Sequence, residues 1–350
     1  YTDSTEGALL LENSSTNYVL KSDDVLSTYQ SQNGDVSDAN TPINEFNNSI
    51  QIEYDASNSS LVYKRDFNPT TGTEYTISLF VQMNDNSEPI HTVDVNSGDF
   101  CLINNNSFAS ASDIKTERLG NTNVYRVSAT KTASDTNNRF GIIKYSTQSS
   151  KGFKVTGFQL EQGNLSSYIP TNGSIIQRAS ETCNESGNSE VFNDSQGVVF
   201  ANMAANSYGG GYKLISLTDS TSGNSFVSIG MMNNTNQSYK QIRFGGINLF
   251  TNFNDPIDQT SFNKIAIKYK SGDSSFYVNG FEIDSSSVTY TPSANMSEFK
   301  FSYFQGGDDF YGKTKEIGYY DTALTDLELE KLTSYRSLNE MVTELNLNAL

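Results

Sequence analysis

Apolar and polar residues alternate with a period of two along most of the chain. Ile50, Ile52 and Tyr54 alternate with Ser49, Gln51, Glu53 and Asp55. Tyr75, Ile77, Leu79, Val81 and Met83 form a longer run, and Ile265, Ile267 and Tyr269 alternate with Lys264, Lys268 and Lys270. Successive side chains of a strand point to opposite faces, so this pattern predicts half-buried strands with one face on a core and the other in water. The intervening stretches are rich in Asn, Asp, Gly and Ser, as turns require. Phe276-Tyr277-Val278 and Phe281-Glu282-Ile283 flank Asn279-Gly280, and both turn residues tolerate the positive φ of a type I′ turn, so a hairpin is expected there.

A helical pattern appears only near the C-terminus. Thr325 and Glu328 have the spacing of a capping box, followed by Leu327, Leu329 and Leu332. Ser337 and Glu340 form a second box, and Leu338, Met341, Val342 and Leu345 share one helical face. Such short helices need a partner surface.

With 350 residues the chain exceeds the ~250–300 that one core usually serves, so two domains are expected. Pro170-Thr171-Asn172-Gly173-Ser174 closes one β-rich block, Thr182 to Ser195 is polar, and new strands begin near Val198. The fold class read from this is all-β: two tandem β-sandwich (jelly-roll) domains with short C-terminal helices. The first spans 1–176 and the second 192–336, with a linker at about 176–192 and a helical tail over 337–350. No internal repeat is visible.

Composition narrows the function. Hydrophobic residues make up only 35%, but 20 Tyr and 21 Phe supply large rings for two cores, with no Trp. A net charge of −17 opposes a nucleic-acid partner or an anionic membrane surface. No stretch approaches the ~18 apolar residues of a membrane span, so no membrane insertion is expected. The opening Tyr1-Thr2-Asp3 has neither Met nor a signal peptide, which reads as a fragment or a processed product. Cys101 and Cys183 are isolated and His91 is the sole histidine, which excludes a zinc site on ligand supply.

The motifs then point to a family. Gly7-Ala8-Leu9-Leu10-Leu11-Glu12-Asn13, Thr16-Asn17-Tyr18-Val19-Leu20 and Ser22-Asp23-Asp24 open the first block. Gly157-Phe158-Gln159-Leu160-Glu161-Gln162-Gly163 and Ser167-Tyr168-Ile169-Pro170-Thr171 close it. This opening and closing resemble a jelly-roll module common in phage tail and fibre proteins and similar to carbohydrate-binding modules. In a jelly roll the first and last strands are neighbours, so the two motifs are expected to meet. That family's opening often carries a Trp; this chain has none, and a Trp-based sugar platform is not implied. The second block, with Tyr212 to Asp219, Lys264 to Tyr269, Tyr277-Val278-Asn279-Gly280, Gly312, Glu316-Ile317 and Tyr319 to Leu329, resembles a laminin-G-like, concanavalin A-type lectin domain. Leu332 to Tyr335 with Leu338 to Met341 is similar to the endings of marine phage fibre proteins. Together the resemblances cover most of the chain. They imply a virion fibre outside the cell that binds a bacterial surface polysaccharide or other glycan, assembles as a homotrimer and joins other virion tail proteins. A purely structural trimeric fibre segment, a polysaccharide depolymerase and a bacterial surface adhesin are the alternatives.

Sugar sites combine aromatic faces with Asn, Asp or Gln. Three loops qualify: Tyr303-Phe304-Gln305-Gly306-Gly307-Asp308-Asp309-Phe310-Tyr311 foremost, then Tyr208-Gly209-Gly210-Gly211-Tyr212, then Asn252-Phe253-Asn254-Asp255. Tyr303, Phe304, Asp308, Asp309, Tyr311, Tyr208 and Tyr212 are the candidate ligand residues; the alternative for each ring is a place in the core. The resemblances also imply a structural Ca²⁺, which takes 6–8 oxygens. Its candidate ligands are Asp308 and Asp309 in the second block, and Glu12, Asp23, Asp24 and Glu161 where the ends of the first meet. Catalysis is not expected. Glu282-Ile283-Asp284 is followed by Ser287 where a sandwich glucanase needs a third carboxylate, Glu328 and Glu330 fall in a helix, and His91 reads as an ordinary loop or surface residue.

Overall fold

A computed structural model of the chain describes residues 8–23, 30–32, 35–43, 46–64, 67–137, 139–219, 224–233, 235–250, 255–292, 295–337 and 340. It is almost entirely β, with antiparallel sheets and one α-helix near the C-terminus among the described residues. Two compact units form: residues 14–179, and residues 1–13 together with 180–350.

The 14–179 unit is a sandwich. Its six-stranded sheet runs in the order Val36–Asp38, Ile50–Ile52, Phe153–Gln162, Glu74–Met83, Tyr125–Thr132, Ile114–Arg118. The facing four-stranded sheet runs Gln30–Gln32, Ser60–Lys64, Phe140–Lys144, Cys101–Ile103. Ile77, Leu79, Val81, Val127, Phe153, Val155 and Leu160 point inward from the first sheet and meet Val62, Phe100, Leu102, Phe140 and Ile142 from the second. Each large apolar side chain so buried contributes roughly 1.5–3 kcal/mol. The register shifts between Thr156 and Gln159, where Gly157 takes a positive φ of 61° and a Cβ would strike the Phe80 ring, so glycine is required there on both counts.

The outer face of the six-stranded sheet is not in water. Thr76, Ser78, Arg126, Gln159 and Glu161 point outward yet are buried, because the segment after Gly163 folds back over them. Arg126 donates to the Ser166 carbonyl at 2.7 Å and to Ser78 Oγ at 3.0 Å. Glu161 accepts from Ser15 Oγ, the Ser166 amide and Gln159 Nε2, and Gln159 Oε1 accepts from the Ile169 amide at 2.7 Å. Asn17 is fully buried: its amide donates to the Phe158 and Ile169 carbonyls, and its Oδ1 accepts from the Val19 and Leu160 amides. The 16–22 part of the opening motif therefore does meet the closing motif, as a polar latch that holds Ser15–Asn17 to Phe153–Gln162. Phe46, Phe80 and Tyr168 complete the cover, and the Tyr168 hydroxyl donates to Ser22 Oγ at 2.5 Å.

The other unit is a second sandwich. Its six-stranded sheet runs Leu9–Leu11, Gly312–Tyr320, Gln196–Ala205, Asn263–Lys270, Ser274–Val278, Phe281–Ser286. Its five-stranded sheet runs Ile247–Asn248, Ser238–Phe244, Phe226–Met231, Lys213–Thr218, Glu298–Lys300. Val199, Ile265, Ile267 and Phe276 pack against Ile215, Val227, Ile229, Ile242 and Phe244. The expected hairpin is present: Val278 pairs with Phe281 across Asn279 (φ 51) and Gly280 (φ 90). The expected helix, Asp326–Thr333, starts on the Thr325–Glu328 capping box. It lays Leu329 with Leu324 and Leu332 on Val198, Phe200, Ala266 and Tyr277, the outer face of the six-stranded sheet.

Three expectations need correction. Strand Leu9–Leu11 pairs with Gly312–Tyr320, so residues 8–13 belong to the second sandwich and not to a 1–176 domain. The expected 176–192 linker does contain the boundary between the units, at 179/180, but its ends are paired rather than open: Ile176–Arg178 pairs with Ser15–Asn17, Ser186 bridges Phe299, and Phe192 enters the second core. Polar residues hide such pairings because the backbone makes them. Lys264 and Lys268, expected in water, are buried under the helix, where Lys268 reaches Asp326 at 3.0 Å and Asp273 at 2.8 Å. The second helical box, apart from Ser337 and Glu340, lies outside the described residues.

Candidate functional site

The outer face of the five-stranded sheet carries the candidate site. Alternation along Ser238–Phe244 sends Ile242 and Phe244 into the core, and Tyr239, Gln241 and Arg243 to the other face. The next strand adds Phe226 opposite Arg243, Ser228 opposite Gln241 and Gly230 opposite Tyr239. The 303–311 loop leaves the edge strand Glu298–Lys300 and crosses this face. Phe304 stacks on Phe226 with ring centroids 3.9 Å apart, and Tyr303 meets Phe226 edge-on at 5.8 Å. The loop closes on itself: the Tyr303 amide donates to the Gly307 carbonyl and the Gly306 amide to the Tyr303 carbonyl. Gly306, Gly307 and Asp308 all have positive φ (82°, 74° and 48°), a path that two glycines make accessible.

The second glycine-rich loop arrives from the other side. Asp309 bridges Leu214, and Gly211 lies close to Asp308, with 3.9 Å between the carboxylate Oδ1 and the place a Gly211 Cβ would occupy. Lys213 Nζ fixes that loop by donating to the Gly209 and Gly211 carbonyls. Tyr212 meets Tyr239 edge-on at 5.6 Å. The Tyr239 hydroxyl reaches Gln241 Oε1 at 2.5 Å and interacts with the Tyr303 hydroxyl. Burial raises the Tyr239 and Tyr303 pKa values, and the Asp308 charge pushes both further up. These phenols are therefore neutral donors and acceptors at any ordinary pH. The product is a patch of three tyrosines with an amide, a guanidinium and a carboxylate at its margins.

Tyr303, Asp308 and Tyr212 thus come together as two loops on one face. Phe304 does not offer a platform: it is buried under the loop and serves as the patch's floor. Asp309 and Tyr311 pair with each other (Tyr311 Oη to Asp309 Oδ2, 3.0 Å), and the Tyr311 hydroxyl also engages Ser180, while Phe310 sits in the core. Tyr208 is 53% exposed. Of the 252–255 loop only Asp255 is described, and it pairs with the buried Lys240. The sequence reading missed Tyr239, Gln241 and Arg243. Their signal was the alternation of aromatic and polar residues against Ile242 and Phe244, legible once the strand's core face is fixed.

Several of the expected calcium ligands are engaged by the protein's own groups. Glu12 belongs to one unit and Glu161 to the other, where Glu161 is engaged by Ser15, Gln159 and Ser166. The Asp23 carboxylate accepts from Asn47 at 3.5 Å, and Asp24 lies outside the described residues. Asp308 and Asp309 are two carboxylates, and among the described residues no group of three or more His, Cys, Asp or Glu is placed to hold a metal. His91 is half-buried against Phe100 (5.6 Å, nearly parallel), where burial lowers its pKa to about 4. It is a packed, neutral imidazole rather than a surface residue. Both cysteines are free, and burial lifts the Cys101 thiol to about 11, which leaves it inert.

No protein-family model matches the chain, and no curated protein matches it. Solved structures do. The Ruminococcus gnavus IT-sialidase CBM40 bound to α2,3 sialyllactose aligns at 17% identity and a TM-score of 0.36, over 45% of this chain and 97% of that one. The heptameric SAP-like pentraxin of Limulus polyphemus aligns at 14% identity and 0.32, over 41% and 71%. Domains LG4-5 of the mouse laminin α1 chain align at 8% identity and 0.29, over 79% and 91%. At these scores the site's own residues carry the functional reading.

Proposed function

We propose that the tyrosine patch on the second sandwich binds a glycan, and that the chain is the distal part of a virion fibre, of the phage tail-fibre kind, that attaches to a host cell-surface polysaccharide without catalysis. One observation carries the reading: Tyr212, Tyr239 and Tyr303, from a loop, a strand and a second loop, converge beside Gln241 and Asp308. Aromatic faces take the C–H face of a sugar ring, and amide and carboxylate groups take its hydroxyls. Glycosidic chemistry would need a second carboxylate about 5–9.5 Å from Asp308 and free to react. Its neighbour Asp309 is held by the Tyr311 hydroxyl instead. The opening and closing motifs support the virion setting by resemblance, and with it a homotrimer, tail-protein partners and an extracellular location. Weak single sites gain from such multivalency.

The test is a glycan array that includes extracted bacterial surface polysaccharides, probed with the full chain with and without EDTA. Selective retention that is lost in Tyr303→Ala and Tyr212→Ala, with the fold intact, supports the reading; loss with EDTA would add a calcium ion. A folded, oligomeric chain retained on no glycan would leave a structural fibre segment. Shortening of a retained polysaccharide would make it a depolymerase.

A further inference from the structure

Resting on the reading of the tyrosine patch as a glycan site, we infer that the site selects carboxylate-bearing glycans and that Arg243 is the residue that does so. The cations near the patch divide sharply. Lys213 is consumed by two carbonyls of its own loop, Gly209 and Gly211. Lys300 is paired with Glu298 at 2.9 Å and also reaches the Phe304 carbonyl. Arg243 is different: its Nε is buried with no hydrogen-bond acceptor among the described residues. It sits on the outer face, directly across from Phe226, the ring on which Tyr303 and Phe304 pack. Its positive charge acts on the Tyr303 phenol and stabilises the ionised form, against the burial that dominates there.

A guanidinium whose Nε lacks an acceptor, beside an aromatic sugar platform, is matched by a planar, two-oxygen anion, which its fork of donors binds in bidentate fashion. A neutral glycan would leave the Nε donor unanswered on binding, and an unmet donor is costly once water is excluded. Asp308 gives the site polarity. It accepts hydroxyl protons and repels an acid group, so the ligand's carboxylate is steered toward Arg243 and its hydroxyls toward Asp308. A uronic acid unit, or another sugar acid with the carboxylate and hydroxyls at opposite ends of the ring, has this pattern. With a net charge of −17 the chain repels polyanions at long range, so retention of an acidic glycan requires a local cation of this kind.

The experiment pairs fragments of hyaluronan, oligogalacturonate and alginate with their methyl esters, on the full chain, with binding read by calorimetry and an array. The acid form should bind at least tenfold tighter than its ester. Arg243→Gln should remove that preference while leaving the weaker ester binding in place, and Arg243→Lys should restore part of it. Melting curves and circular dichroism identify any variant that fails to fold, and Tyr303→Ala should lower binding of both forms alike. Equal binding of acid and ester, or an acid preference that survives in folded Arg243→Gln, overturns this inference and leaves the glycan site standing. Retention of neither these nor any other glycan on the array removes the site itself.

Discussion

The two sandwiches cover their outer sheet faces in opposite ways. In the 14–179 unit the outer face of the six-stranded sheet is polar, yet every hydrogen bond drawn above from Asn17, Gln159, Glu161 and Arg126 ends within that unit, under the 164–171 segment. In the second unit the 303–311 loop crosses the five-stranded sheet but leaves Tyr212, Tyr303, Gln241 and Arg243 partly exposed. Polar residues on a strand are thus ambiguous. Where their donors and acceptors are answered internally they hold a fold closed. Where rings and a charged group are left facing solvent they present a surface for a ligand.

Substitutions can break or sharpen this contrast. The largest effect is expected at the latch. Asn17→Ala strands the Val19 and Leu160 amides in a dry site, at ~1–3 kcal/mol each, so urea unfolding should report a loss of about 3–5 kcal/mol and no change in glycan selectivity. An unchanged midpoint would mean that the latch is not what closes the first sandwich.

Next is His91. Its folded pKa of about 4 lies below its ordinary 6.5, so the folded form disfavours the proton. The stabilisation is complete above pH ~6.5 and is lost as pH falls toward about 4, by about 3 kcal/mol at most. His91→Phe should flatten the fall of unfolding free energy over that window relative to the parent, measured by denaturant titration at several pH values; parallel curves would refute the assignment.

On the open face the signs reverse. Tyr212→Ala should weaken binding of a retained glycan roughly tenfold, about 1.4 kcal/mol, while thermal unfolding moves by less than about 1 kcal/mol. A large stability loss there would make the tyrosine patch a second latch. The smallest effect is expected from Tyr168→Phe, which removes one hydroxyl from Ser22 and should cost about 1 kcal/mol in the first sandwich.

Much was legible in the residues. The period-two runs, the Asn279-Gly280 hairpin and the Thr325–Glu328 cap are local, because strand alternation, positive φ and capping depend on residues a few positions apart. The meeting of the two motifs of the first block followed from jelly-roll connectivity. The loops holding Tyr212, Tyr303 and Asp308 were found by composition alone, but composition did not distinguish Phe304 as floor from Tyr303 as surface, since a ring reads alike in either role.

What the chain's order of residues determines by itself is the all-β class, the strands, the turn and the helix start. Only the tertiary structure decided the rest: Leu9–Leu11 pairs with Gly312–Tyr320, Lys268 lies beneath the helix, and Tyr239 and Arg243 face the same patch as Tyr303. Each of these joins residues distant in sequence through backbone hydrogen bonds or sheet register. Such pairings have no residue signature, because any L-residue other than proline supplies the same amide and carbonyl.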